Sequence, residues 1–163
     1  MRRYARFAAI FLSAIALHAH AADLRTIKEP AKIATLFSRA ARLRVVNVWA
    51  MWCAPCVAEM PDFRAMDETF GAEVAFAGVS LDDMLPDASP KPVVQFLDKQ
   101  KIAYPNVYYT GNPDALGDYL DFSGEIPITI VYDGNGKELW RHQGRIDKNQ
   151  TIARLRDLLR RKP

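Results

Sequence analysis

The chain has 163 residues, of which 50% are hydrophobic and 25% are charged, with 22 Lys and Arg against 19 Asp and Glu. This length and composition predict one domain with a core of its own and exclude a disordered, collagen-like or coiled-coil protein. The net charge of +3 equals the contribution of Arg2, Arg3 and Arg6, so it gives no reason to expect a nucleic-acid or anionic-lipid partner.

Residues 1–21 have the pattern of a secretory signal peptide. Three arginines precede an apolar run at 7–17, which ends near the sequence Ala-His-Ala at 19–21. A charged start, a short apolar centre and an A-x-A site are typical of such signals. The run is shorter than the roughly 20 apolar residues that cross a membrane. We therefore expect cleavage after Ala21 and a periplasmic domain of residues 22–163, with an uncleaved membrane anchor as the alternative.

The rest of the chain alternates between strand and helix patterns. Runs of β-branched and aromatic residues predict three strands, and the turn sequence Asp-Gly-Asn-Gly at 133–136 predicts a hairpin to a fourth. Apolar residues at helical spacing predict five helices. In chain order we predict helix 31–41, strand 44–50, helix 54–69, strand 73–80, helix 92–101, helix 113–121, strand 126–132, strand 137–143 and helix 148–161. This order predicts an α/β fold with a central mixed sheet that is flanked by helices.

Both cysteines, Cys53 and Cys56, fall at the start of the helix that follows the first core strand. A disulfide across so short a loop stabilises a chain little, so stability is a poor reason for the pair. The free amides and the dipole at a helix N-terminus lower the pKa of a thiol there. We therefore predict Cys53 as the attacking thiolate and Cys56, one turn further, as the resolving thiol. The cofactor would then be this redox-active disulfide, with no bound metal.

Other interpretations of the cysteine pair stay open. Two thiolates with the sulfur of Met51 or Met60 could bind Cu(I), as in a metallochaperone for oxidase assembly. A Cys₄ zinc site would need two more cysteines. A cysteine hydrolase would need a base, and His142 is the one histidine after residue 21. An inert disulfide is the remaining alternative.

Three segments carry a family resemblance. Residues 47–56, Asn-Val-Trp-Ala-Met-Trp-Cys-Ala-Pro-Cys, resemble the strand and active-site helix of the thioredoxin superfamily. Pro61 matches its helix-kink proline, and Ile126-Pro127-Ile128-Thr129 resembles its cis-proline segment. Within the superfamily, the chain is most similar to exported TlpA/ResA-type thiol-disulfide oxidoreductases. That narrower match rests on residues 56–61, on Gly-Val-Ser-Leu-Asp-Asp at 78–83, and on the long interval between the motif and the second proline.

The resemblance implies a thioredoxin-like fold with a central insertion after the second core strand, and a monomer. It also implies a reductase of protein disulfides. Its client would be a protein with a cysteine pair, in cytochrome c maturation or at the copper site of an oxidase. A membrane thiol-transfer protein would supply the electrons. A thiol oxidase or isomerase of the same fold remains an alternative, because the Ala-Pro dipeptide between the cysteines does not set the direction.

The resemblance further implies the roles of several site residues. Asn47 stands where thioredoxin has a buried aspartate, and Glu59 would replace that proton acceptor with a raised pKa, unless it is an ordinary surface glutamate. The Ile126-Pro127 peptide would be cis, and the backbone of Ile126 would bind an extended substrate segment beside Cys53. Trp52 would flank the disulfide.

Several aromatic residues have less specific expectations. Trp49 is expected in the core and His142 in a structural role. Met51 and three tyrosines could line a substrate groove or simply pack; the tyrosines are Tyr104, Tyr108 and Tyr109.

Overall fold

The computed structural model describes residues 22–37 and 40–161, so the predicted signal peptide lies outside the described residues. This part of the chain contains six strands and four α-helices. The strands are β1 (Leu24–Ile27), β2 (Leu43–Trp49), β3 (Val74–Ser80), β4 (Asn106–Tyr109), β5 (Ile128–Asp133) and β6 (Glu138–Gln143). The helices are α1 (Ala54–Phe70), α2 (Pro90–Gln100), α3 (Pro113–Leu120) and α4 (Lys148–Arg160). Short 3₁₀ helices lie at Pro30–Leu36, Gly71–Glu73 and Asp82–Met84.

The six strands form one mixed sheet in the order β1-β4-β3-β2-β5-β6. Strands β1 to β4 are parallel to one another. Strand β5 pairs antiparallel with β2, and β6 pairs antiparallel with β5. The predicted α/β class and the sheet flanked by helices are therefore confirmed. In the register of β2 and β3, Trp49 lies opposite Ser80. The segments that follow these two residues consequently leave the sheet at the same edge.

Two strands and one helix differ from the prediction. Strands β1 and β4 were not predicted. Each has only four residues, which is too short for a reliable alternating pattern. In addition, β4 is buried along its whole length and therefore shows no alternation of polar and apolar residues. The helix expected at 31–41 is a 3₁₀ helix at Pro30–Leu36. Strand β5 begins at Ile128, one residue after Pro127, which has no backbone N–H for a ladder.

The segment between β3 and β5 contains the predicted central insertion. It holds α2, β4 and α3, and β4 enters the sheet between β1 and β3. No helix among the described residues is both long and apolar enough to cross a membrane.

Helix α1 carries the functional motif and also forms much of the core. Its buried residues share one face of the helix, as expected for a helix that packs on a sheet. They are Cys56, Glu59, Met60, Phe63, Met66 and Phe70. Pro61 lies inside the helix on its exposed side. A fully buried glutamate in this apolar stripe is the exception that needs a chemical reason.

Gly78 of β3 leaves room for a buried hydrogen bond between its neighbours. The indole Nε1 of Trp49 donates to Oδ1 of Asn106 at 3.2 Å. A Cβ at position 78 would lie 1.9 Å from that oxygen and 2.9 Å from Nε1. We expect Gly78→Ala to lower the free energy of unfolding by roughly 3 kcal/mol, through overpacking and loss of the bond. Urea unfolding measures this. Gly134→Ala, where the nearest atom is 3.3 Å away, should cost clearly less, and equal costs would contradict this interpretation.

Candidate redox site

Cys53 and Cys56 form a disulfide at the N-terminus of α1, where the chain turns out of β2. Cys53 is the N-cap residue, and its Sγ accepts the backbone N–H of Cys56 at 3.3 Å. Cys53 is 6% exposed and Cys56 is fully buried. Cys53, the more exposed of the two cysteines, thus lies where helix amides favour a thiolate, and the fully buried Cys56 follows one turn later. This arrangement fits the predicted division into an attacking and a resolving cysteine.

Glu59 is completely buried one turn after Cys56. Its Oε1 accepts a hydrogen bond from Nδ2 of Asn47, and its Oε2 accepts one from the backbone N–H of Ile146, each at 3.0 Å. Burial raises the pKa of Glu59 to about 7, and outweighs both hydrogen bonds and the charge of Arg145, which lower it. The expected direction of the pKa shift is therefore confirmed, and the alternative of a surface glutamate is wrong. A carboxyl group with this pKa can both take and return a proton near neutral pH.

Asn47 can serve both protonation states of Glu59. Its Nδ2 donates to the carboxylate, whereas its Oδ1 is buried without a hydrogen-bond partner. Rotation of the amide by half a turn would present Oδ1 to a protonated Glu59 as an acceptor. An aspartate at position 47 would instead repel the Glu59 carboxylate. The side-chain amide of Asn47 can therefore form a hydrogen bond with Glu59 in either its ionised or its protonated state.

The Ile126-Pro127 peptide is cis, as the resemblance implied. Val48 of β2 pairs with Ile128 of β5, so Ile126 and Pro127 lie at the sheet edge from which the cysteine turn leaves. The carbonyl of Pro127 accepts the backbone N–H of Gly144 at 2.9 Å, which ties this loop to the end of β6. Pro127 is buried and Ile126 is half-buried.

Asp82 is a second buried carboxylate at this edge, and sequence reasoning assigned it no role. Its Oδ1 accepts the backbone N–H of Met51 at 2.9 Å, and Oδ2 accepts the hydroxyl of Ser80 at 2.7 Å. It thereby holds the turn that precedes Trp52 and Cys53. Burial raises the pKa of Asp82, while both hydrogen bonds lower it. A polar Ser-x-Asp pair at the end of a buried strand is the signal that could have revealed it.

The other aromatic residues separate into exposed and packed groups. Trp52 is 48% exposed next to Cys53, whereas Trp49 is buried, as predicted. The three tyrosines are buried, so they pack in the core rather than line a groove; they are Tyr104, Tyr108 and Tyr109. His142 stacks on Trp140 with ring centroids 5.9 Å apart, and its Nε2 lies 3.2 Å from the carbonyl oxygen of Arg145. These contacts support the predicted structural role of His142.

The described residues contain no group of three or more His, Cys, Asp or Glu side chains placed to hold a metal ion. Met60, one candidate Cu(I) ligand, is buried in the core, and the hydroxyl of Tyr104 lies 3.7 Å from its sulfur. Met51, the other candidate, is exposed beside Trp52.

This sheet order, with a Cys-x-x-Cys motif at a helix N-terminus and a cis-proline loop at the same edge, defines a thioredoxin-fold protein. The chain belongs to the AhpC/TSA family, whose model matches residues 18–141. A thiol-disulfide isomerase from Corynebacterium glutamicum has a similar structure, with a TM-score of 0.66 and 20% identity. The similarity covers 76% of this chain and 85% of that chain. The predicted thioredoxin-like fold is confirmed.

Two curated relatives narrow the resemblance to the ResA type. The thiol-disulfide oxidoreductase ResA of Oceanobacillus iheyensis is 29% identical over 116 residues, which are 70% of this chain and 56% of that protein. The thiol:disulfide interchange protein HelX of Rhodobacter capsulatus is 29% identical over 123 residues, which are 74% of this chain and 63% of that protein. The match thus spans less than two thirds of either relative. The ResA-type assignment made from the motifs is confirmed.

Proposed function

We propose that this protein is a thiol-disulfide oxidoreductase that reduces disulfides in client proteins. The observation that carries this proposal is the disulfide between Cys53, a helix N-cap residue that is slightly exposed, and the fully buried Cys56, one turn before the buried Glu59. The names of the two relatives support the same class of reaction.

The reaction begins with the reduced cysteine pair. The Cys53 thiolate attacks one sulfur of a client disulfide, forming a mixed disulfide while the other client sulfur leaves as a thiolate. The Cys56 thiolate then attacks Sγ of Cys53, which closes the Cys53–Cys56 disulfide and releases the second client sulfur. Two electrons pass to the client in each cycle. A dithiol donor must then return two electrons to the cysteine pair.

Glu59 acts in the second step. Because Cys56 is fully buried, its proton must leave to a nearby group before it can attack. Glu59 lies three residues further along the same helix face, where side chains of successive turns meet. Its pKa of about 7 keeps part of the population ionised and ready to accept that proton.

The sequence and the family resemblance support a proposal for the cellular setting. The signal-peptide pattern at 1–21 supports export to the periplasm. We propose cytochrome c maturation, or reduction of the copper-site cysteines of an oxidase, as the setting, with a membrane thiol-transfer protein as the electron donor. The domain would act as a monomer.

The equilibrium reduction potential of the Cys53–Cys56 pair tests the direction of the reaction. We expect a value near or below about −230 mV, towards the thioredoxin end of the scale. Trp52 next to the disulfide gives the fluorescence signal, read in glutathione or dithiothreitol redox buffers. A value near about −120 mV belongs to proteins that introduce disulfides, and it would contradict the proposed reductase.

A further inference from the structure

An open groove of about 340 Å³ lies on one side of the redox site. Met51 and Trp52 form one wall, and the segment from Leu85 into the first turn of α2 forms the other. Pro92 and the buried Val93 of α2 also line the groove. Because Trp52 directly precedes Cys53, a client chain bound at the attacking sulfur would place a neighbouring side chain over this groove.

Most of the exposed large apolar residues of the described chain lie at this groove. Of its five exposed large hydrophobic residues, Met51, Trp52 and Leu85 line the groove, whereas Met84 and Tyr119 line other cavities. Exposed apolar residues that gather in one place mark a contact surface for another molecule.

The charges of the groove are all negative. Asp82, only 7% exposed, lines it, as does the exposed Asp87. Among residues 22–37 and 40–161, no Lys, Arg or His forms an ion pair with Asp82, whose pKa is shifted by burial and hydrogen bonds alone. Lys91 is exposed on the first turn of α2 and does not line the groove. A buried carboxylate without a counter-ion is costly, and a cation brought to it offsets that cost.

We propose that this groove is a subsite for a Lys or Arg side chain of the client, close in sequence to the cysteine that Cys53 attacks. The methylene stem of that side chain lies against Trp52 and Leu85, and its cationic end reaches the carboxylates of Asp82 and Asp87. This subsite rests on the proposed function, since it selects which disulfides are reduced.

Matched peptides test the subsite. Each peptide has one cysteine activated as a disulfide with thionitrobenzoate, and Lys, Arg, norleucine or Glu beside it. The reduced Cys53 attacks the peptide sulfur, and thionitrobenzoate leaves as a coloured thiolate. We expect the Lys and Arg peptides to react about tenfold faster than the norleucine peptide, and the Glu peptide to react more slowly than norleucine. This preference should weaken in high salt.

Three isosteric variants show whether the groove is responsible. Asp82→Asn and Asp87→Asn should each bring the ratio of Lys to norleucine rates closer to one. Asp118→Asn, at an exposed position of α3 outside the groove, should leave the ratio as in the wild type. Asp82→Asn also changes the turn at Met51 and can slow all peptides together, so the ratio is the readout. Asp87 has no such contact with that turn, and an unchanged ratio in Asp87→Asn and Asp82→Asn would overturn the subsite.

A neutral small disulfide separates this proposal from the proposed function. Wild-type protein that reduces bis(2-hydroxyethyl) disulfide but shows equal rates for Lys and norleucine peptides is an oxidoreductase without the subsite. Wild-type protein that reacts with neither the small disulfide nor any peptide contradicts both proposals.

Discussion

Replacing Cys56 by serine is expected to stop turnover after the first step and to hold the client on Cys53. Cys56 is fully buried behind Cys53, so serine fits the same space. Its hydroxyl is too weak a nucleophile to displace the client sulfur at neutral pH. The reaction should therefore end at the mixed disulfide, with one client bound per protein and no measurable second turnover.

Mass spectrometry and non-reducing electrophoresis measure the trapped species. Cys53→Ser is the matched control, and it should give neither turnover nor a mixed disulfide, because the attacking sulfur is gone. If Cys56→Ser instead keeps tight one-to-one Cu(I) binding and still delivers copper to a client, the metallochaperone alternative replaces the redox cycle.

Glu59→Gln is expected to slow the step in which Cys56 attacks by about 10²-fold at pH 7, the lower end of what a positioned base contributes. Gln fits the site because its oxygen can accept the N–H of Ile146. Its NH₂ can donate to Oδ1 of Asn47 once the Asn47 amide, whose Nδ2 donates to Glu59 in the wild type, rotates by half a turn. The variant should fold but lack a proton acceptor. Its rate should continue to rise towards the ordinary thiol pKa of about 8.5, whereas the wild-type rate should level off above about pH 7.

Stopped-flow Trp fluorescence between about pH 5.5 and 9 measures this pH profile. Glu68→Gln provides the control, because Glu68 is exposed on the same helix. An unchanged rate and an unchanged profile in Glu59→Gln would return Glu59 to a structural role only.

Glu59→Gln is also expected to stabilise the folded protein at alkaline pH. The pKa of Glu59 is raised from 4.5 to about 7 on folding, so folding favours its protonated form. In the oxidised wild type, the contribution of Glu59 to the free energy of unfolding is therefore highest below about pH 4.5. This contribution is lost as the pH rises through about 7. Glu59→Gln removes the loss and should be more stable than the wild type at pH 8, by up to about 3 kcal/mol. Urea unfolding at pH 5 and pH 8 measures the difference, and a pH-independent difference would contradict the buried carboxylate.

The redox motif and its immediate surroundings could be predicted because they depend on local sequence. β-branched residues at 44–50 predict the strand that is seen as β2, and the next helix begins at Ala54, as expected. The cysteines consequently fall at a helix N-terminus, and Glu59 falls one turn beyond Cys56, whatever the rest of the chain does. Strands β1 and β4 escaped prediction because a four-residue strand gains its stability from the partners beside it rather than from its own pattern.

Only the tertiary structure determined the hydrogen-bond partners of the site residues and the pKa of its buried carboxyl groups. The backbone N–H that donates to Glu59 belongs to Ile146, 87 residues away along the chain. The carboxylate that accepts the backbone N–H of Met51 belongs to Asp82, 31 residues away. A backbone N–H carries no sequence signal, because every residue except proline has one. The pKa of a carboxyl group depends on how far folding removes it from water and on which donors then surround it. These quantities exist only once the sheet has brought the separate loops to one edge.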